Sequence, residues 1–246
     1  MKKRIAFTLA EVIIVIGIVG MVAEMTIPNL VAQYQKQQYV TQLKQTVSQL
    51  QTAFKMFMAD EGISKLTDTN TFLIVGNEDP DYASQRVGFD FFRKYYRIIK
   101  DCQTEDPSSC FAKSYRSLDG LFLNPTGITG CSYSIITANN TSICIVLPTD
   151  GGAPGYLMVD INGLKPPNRG GRDFFALSFY YDGTLDEGVT PECRKGMDHK
   201  CSNGAYSTPA EARENRYENA CKAELSATYG SGCFAKILND GWKMDY

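Results

Sequence analysis

The chain has few of the side chains that enzymes most often use for chemistry. It contains one histidine, His199, and one tryptophan, Trp242, in 246 residues. His199 stands in a loop-like stretch between Cys193 and Cys201, with no serine or cysteine set up as its nucleophile partner. No glycine-rich loop opens a helix, so a nucleotide has no phosphate cradle. The cysteines never approach the C-x2-C spacing of zinc sites. A formal net charge of −2 offers no basic field for nucleic acid. Internal repeats and long low-complexity linkers are also missing. Nothing in the residues points to an enzyme.

Cysteine itself is plentiful. Cys102, Cys110, Cys131, Cys144, Cys193, Cys201, Cys221 and Cys233 make an even count of 8, all beyond the N-terminal apolar run. With an export feature ahead of them, they read as disulfides made in an oxidising compartment. Eight cysteines allow on the order of a hundred connectivities, and pairing of sequence neighbours is the expectation adopted. The chain is 43% hydrophobic and 11% aromatic, ordinary for a packed core. Its length fits one domain, or two small ones, besides the N-terminal segment.

That segment organises the rest. Lys2-Lys3-Arg4-Ile5-Ala6 is followed by Phe7-Thr8-Leu9-Ala10-Glu11 and an apolar run from Val12 to Ala23. Glu11 is the anomaly, because a carboxylate in a membrane segment costs roughly 2.5–3.5 kcal/mol on insertion scales. A secretory signal peptide has no use for it, and Met21-Val22-Ala23 is a poor A-x-A cleavage site. A plain single-pass anchor wants about 20 apolar residues and usually no charge. A buried core helix does not explain the Lys-Lys-Arg flank.

The arrangement closely resembles the N-terminus of type IV prepilins and type II secretion pseudopilins. The resemblance covers the first thirty or so residues, with Ala6 where glycine is usual and Pro28 where many members break the helix. It implies cleavage after Ala6 by a prepilin peptidase and N-methylation of Phe7. Assembly would rest on Phe7 and Glu11, the carboxylate of one subunit neutralising the free amine of another. Losing Lys2, Lys3 and Arg4 with a leader would take the net charge from −2 to −5.

Pro28 lacks an N–H and should kink or locally melt the helix. Beyond it, Val40, Leu43, Val47, Leu50, Phe54 and Phe57 fall on one helical stripe. A helix from Phe7 to about Ala59 would be roughly 80 Å long. The stripe is too short in heptads, and too poor in flanking charge pairs, for a coiled-coil seam; packing on a sheet is expected. Ser84 to Lys100 reads as a helix capped by Ser84, with Val87, Phe91, Tyr95 and Ile98 at helical spacing. Strands are predicted at 131–137, 142–147, 156–161 and 174–181. The first two are joined by Ala138-Asn139-Asn140-Thr141, whose Asn-x-Thr match is read as turn chemistry. A short helix is expected over Pro209 to Leu225 and a last strand within Cys233 to Tyr246. Of the paired aromatics Phe91, Phe92, Tyr95, Tyr96 and Phe174, Phe175, Tyr180, Tyr181, one of each pair should face outward.

The expected fold is therefore α+β. A long kinked N-terminal helix packs on a small antiparallel sheet, with a disulfide-stapled C-terminal region: a pilin-like lollipop. The organisation is a leader at 1–6, a transmembrane or filament-core helix at 7–30, an amphipathic helix plus head at 31–187 and a cysteine-rich extension at 188–246. The connection from Val159 to Phe174, with Asp160-Ile161-Asn162-Gly163 and Pro167-Asn168 before Asp173, resembles one found in many pseudopilin-like heads. Asp160, Asn162 and Asp173 offer oxygen ligands that calcium takes, but Asp, Asn and Gly are also standard turn formers. Turn chemistry is the first reading, calcium the alternative, and no other cofactor is expected.

The resemblance implies a structural subunit of a type IV pilus or of a secretion-like pseudopilus. The alternative is a minor tip pilin that binds a surface, substrate or DNA through its disulfide-rich tail. Implied partners are other pilin subunits, prepilin peptidase, an inner-membrane assembly platform and the membrane; nucleic acid enters only through a DNA-uptake role. The implied location is the bacterial inner membrane, head outside the cytoplasm, then a cell-surface or periplasmic filament.

Overall fold

Helix α1 occupies Leu9–Glu61, and the contrast between its two halves sets the architecture. A computed structural model describes residues 8–74, 79–102, 107–123, 130–148, 155–196, 201, 208–222 and 230–246. The chain divides into two compact units, Met1–Gln38 and Tyr39–Tyr246.

In the first unit the described residues form the leading part of α1. Ile13, Ile14, Val15, Ile16, Ile18 and Val19 are all more than half exposed, so the apolar surface runs around the whole helix rather than along one face. A helix of that kind is built for an apolar surrounding. The segment is long and apolar enough to cross a membrane by length and composition. Pro28 lies inside α1, and the backbone remains helical on both sides of it. Local melting, one of the two expected outcomes, is not what the helix does. The proline still removes the N–H that the Glu24 carbonyl would accept.

The second unit begins where α1 turns amphipathic. All six predicted stripe residues are buried, joined by Thr46 and Ala53. Thr46 is tolerated there because its hydroxyl donates to the Gln42 carbonyl at 2.9 Å. The stripe packs on one face of a six-stranded antiparallel sheet ordered β1-β4-β5-β6-β7-β8. Its strands are β1 (Ile98–Asp101), β4 (Tyr133–Thr137), β5 (Ser142–Val146), β6 (Gly155–Asp160), β7 (Phe174–Phe179) and β8 (Leu185–Asp186). A separate hairpin pairs β2 (Tyr115–Arg116) with β3 (Phe122–Leu123). Phe54 stacks on Phe91 at 5.0 Å and meets Phe72 edge-on at 5.5 Å, centring an aromatic cluster under the helix. Gly183, at φ 72°, lets the turn after β7 close onto α1; a Cβ there would sit 3.1 Å from that of Phe54.

The four predicted strands are β4 to β7, and edge strands β1 and β8 complete the sheet. The helix expected from Ser84 to Lys100 is shorter and interrupted. Helix α2 (Pro80–Arg86) starts at Pro80, so Ser84 lies inside it and does not cap it. A π-helical segment, Val87–Phe92, follows, then the turn α3 (Arg93–Tyr95). The wider π turn shifts the buried face by one residue, so Phe91 and Phe92 both lie inside. Ile98 then pairs with Thr137 in β1 rather than ending a helix.

Phe174 and Phe175 are both fully buried as well, for a different reason. They point to opposite faces of β7, and both faces are covered. Phe175 joins the core under α1, whereas Phe174 joins a second core with Phe111, Tyr115, Ile136 and two disulfides. The expectation of an outward aromatic in each pair is wrong at both phenylalanine pairs.

The disulfides pair sequence neighbours: Cys102–Cys110, Cys131–Cys144, Cys193–Cys201 and Cys221–Cys233. In the tail, α4 (Pro191–Arg194) precedes α5 (Pro209–Arg216), which continues as a π-helical segment, Tyr217–Cys221. The C-terminal stretch is not a strand. It forms α6 (Cys233–Asn239), because Phe234, Ala235 and Ile237 fill the core with helical rather than alternating spacing.

Candidate functional site

Three polar clusters among the described residues bear on the candidate residues and on the tail. The first is at the head of α1. Thr8 Oγ1 accepts from the Glu11 N–H at 3.3 Å, while Glu11 Oε2 accepts from the Thr8 N–H and hydroxyl, each at 2.8 Å. This is a capping box, Thr-x-x-Glu, that satisfies donors at the helix start. Glu11 thus has a partner within its own turn. Both bonds fall on Oε2, and Oε1 has no protein partner among the described residues. Ala6 and Phe7, the expected cleavage and methylation positions, lie outside the described residues, as does His199.

The second cluster is the connection from β6 to β7, where Asp160, Asn162 and Asp173 come together. Asp160 Oδ2 accepts from the Tyr115 hydroxyl at 2.7 Å, and Oδ1 from the Asn162 N–H at 3.2 Å. Asp173 accepts from the N–H groups of Asn168 and Arg169 at 2.8 and 2.6 Å. The Asn162 amide donates to the Pro166 carbonyl at 3.2 Å. Both carboxylates are fully buried. Burial pushes the Asp160 pKa up to about 8, against the Tyr115 hydrogen bond, and Asp173 is raised for the same first cause. Gly163, at φ 69°, seats this turn against the Asn140 carbonyl, where a side chain would collide. Every carboxylate oxygen of the pair accepts a protein hydrogen bond, the arrangement of a locked turn. Among the described residues no group of three His, Cys, Asp or Glu side chains is placed to hold a metal ion.

The third cluster was not anticipated from the sequence. Asp186 and Glu187, at and just after the end of β8, clamp the cysteine-rich tail. Asp186 takes two hydrogen bonds from Arg213 of α5, at 2.8 and 2.6 Å, and one from Arg194 at 3.3 Å. Glu187 is buried and accepts from the Ala235 N–H at 3.1 Å, from the Gly232 N–H and from the Ser231 hydroxyl at 3.1 Å. It therefore caps the start of α6. Burial pushes its pKa up to about 7, opposed by the Gly232 N–H and Arg216. Its partners lie up to 48 residues away, so only tertiary structure reveals the role.

These clusters hold turns, caps and inter-element clamps in place. The chain matches no family model, no curated protein and no solved structure.

Proposed function

We propose that the chain is a structural subunit of a type IV pilus or type II secretion-like pseudopilus. A prepilin peptidase removes the leader after Ala6, and the subunit then polymerises through its N-terminal helix. The observation that carries this reading is the division of α1. An all-round apolar half bearing Glu11 passes, within one helix, into a half whose single stripe is fixed in a folded head. An ordinary membrane anchor needs the first half but has no use for the acid.

In this mechanism the apolar half holds the subunit in the inner membrane, with the head outside the cytoplasm. Extraction into a fibre replaces lipid around the helix with the corresponding helices of neighbours, so little apolar surface meets water at any stage. Glu11 offers Oε1 to the amine of Phe7 on another subunit. In a low-dielectric surrounding that pairing is worth far more than at a wet surface. The N-terminal pattern and the connection from Asp160 to Asp173 support the same family.

Fibres sheared from cells and probed for this chain test the proposal. It predicts the chain as a main component of purified fibres; presence in traces would assign it to the tip instead, and complete retention in the membrane fraction would overturn it.

A further inference from the structure

The hairpin of β2 and β3 has an inner and an outer face. Tyr115 is fully buried in the second core and stands opposite Leu123 in the hairpin register. The other register pair is Arg116 and Phe122. Directly opposed residues of an antiparallel pair point the same way, so these two share the outward face. Phe122 is 63% exposed, and Arg116 is exposed and makes no ion pair among the described residues. Its guanidinium donates to the Gly120 carbonyl at 2.9 Å, which leaves donors for a partner. An aromatic ring and a cation thus face solvent side by side.

The complement lies on the α1 side of the sheet. A pocket of ≈ 500 Å³ is lined by Phe57 and Glu61 of α1, Thr71 of the short turn Asn70–Phe72, and Phe89, Asp90 and Lys94. Phe57 is buried there, whereas Phe89 is 57% exposed. One cation already lies over the Phe89 ring: the Arg93 guanidinium, at 4.3 Å, is held by Asp101 at 2.6 Å. Lys94 is committed to Asp60 at 3.0 Å and stands 3.9 Å from Glu61. Asp90 is exposed, and its carboxylate has neither an ion pair nor a hydrogen bond among the described residues. This patch pairs an open ring with an open anion. Tyr115 and Phe57 belong to cores on opposite faces of the sheet, so one chain cannot bring its own hairpin to its own pocket.

We propose that this pocket receives the β2–β3 hairpin of a second copy of the chain, Phe122 entering beside Phe89 and Arg116 meeting Asp90. The match has two points, ring to ring and guanidinium to carboxylate, and the charges fix its orientation. The two patches differ, so the contact is heterologous: each added copy leaves a hairpin or a pocket open for the next. So small a contact is weak between freely diffusing copies and effective between copies concentrated in one membrane. The inference deepens the filament reading and rests on it for the alignment of copies side by side.

The test places the photo-cross-linker p-benzoylphenylalanine at position 122 of the full chain, purified and packed into phosphatidylcholine vesicles. Illumination should give a ladder of dimers and higher adducts, and mass spectrometry should map the second site to the peptide holding Phe89 and Asp90. Arg116→Glu and Asp90→Arg should each cut the yield by at least about fivefold, since each sets like charges face to face. The two together should restore it to within about twofold of the starting level, as a charge swap does for groups in contact. Both positions are exposed, so the melting temperature should stay unchanged in all three variants. Adducts to lipid alone, hairpin-to-hairpin dimers, mapping to any other surface, or a double variant no better than the single ones would overturn the inference. No fibre is needed for this measurement. Its failure leaves the filament reading standing, and absence of the chain from sheared fibres would leave a mapped contact standing.

Discussion

Glu11 carries most of the functional weight and shows how one residue can answer to two explanations. Its charge in an apolar run is plain in the sequence, and it led directly to the assembly reading. The local explanation was equally legible: Thr8-Leu9-Ala10-Glu11 is a capping-box pattern, and the hydrogen bonds between Thr8 and Glu11 realise it. Two substitutions separate the roles. Thr8→Ala removes the hydroxyl half of the cap, a loss of about 0.5–2 kcal/mol at a helix start, yet keeps the carboxylate for a neighbour. Glu11→Gln removes the charge. Fibre incorporation should fall by more than about tenfold for Glu11→Gln, the equivalent of roughly 1.4 kcal/mol, and stay near wild type for Thr8→Ala. Equal losses would make Glu11 only a cap. Glu187 makes a second prediction at this scale. Its folded pKa, near 7, lies above the unfolded value of 4.5. Its contribution to stability is thus complete below about pH 4.5 and is lost as pH rises through 7. Urea unfolding at pH 5 and pH 8 should show stability falling by up to roughly 3 kcal/mol from this group, and Glu187→Gln should flatten that decline. A pH dependence unchanged in Glu187→Gln would contradict the assignment.

At the scale of elements, periodicity was readable wherever one face is buried against one neighbour. The stripe from Val40 to Phe57 is of this kind, whereas the strands β4 to β7 are legible from apolar, β-branched and aromatic runs bounded by turn residues. It misled where the chain departs from a single period. The π-helical segment Val87–Phe92 buries adjacent phenylalanines, which a 3.6-residue repeat does not do. β7 buries the adjacent Phe174 and Phe175 because the sheet has a core on each side, and a single sequence does not announce the second layer. A last strand is expected within Cys233 to Tyr246, yet Gly232, at φ 82°, and the distant carboxylate of Glu187 start a helix there. The two-core sheet predicts that Phe174→Ala and Phe175→Ala each destabilise the head by about 3–5 kcal/mol, measured by urea unfolding. A change under about 0.5 kcal/mol for Phe174→Ala, typical of a surface position, would contradict the second core.

For the whole molecule, the disulfide-rich tail is part of the head rather than an appendage. Tyr217, Phe234, Ile237 and Met244 enter the same core as the α1 stripe, and Lys44 of α1 lies over the Trp242 ring at 5.6 Å. The sequence foresaw the neighbour pairing of the cysteines and the α+β class, but not that Asp186 and Glu187 bind the tail to β8. The central claim concerns the other end of the chain, and the mass and first residue of the protein recovered from native surface fibres test it most directly. The account predicts a chain that starts at an N-methylated Phe7, with Met1 to Ala6 removed. An intact Met1-Lys2-Lys3-Arg4 start, or a chain trimmed beyond Ala23, would contradict it.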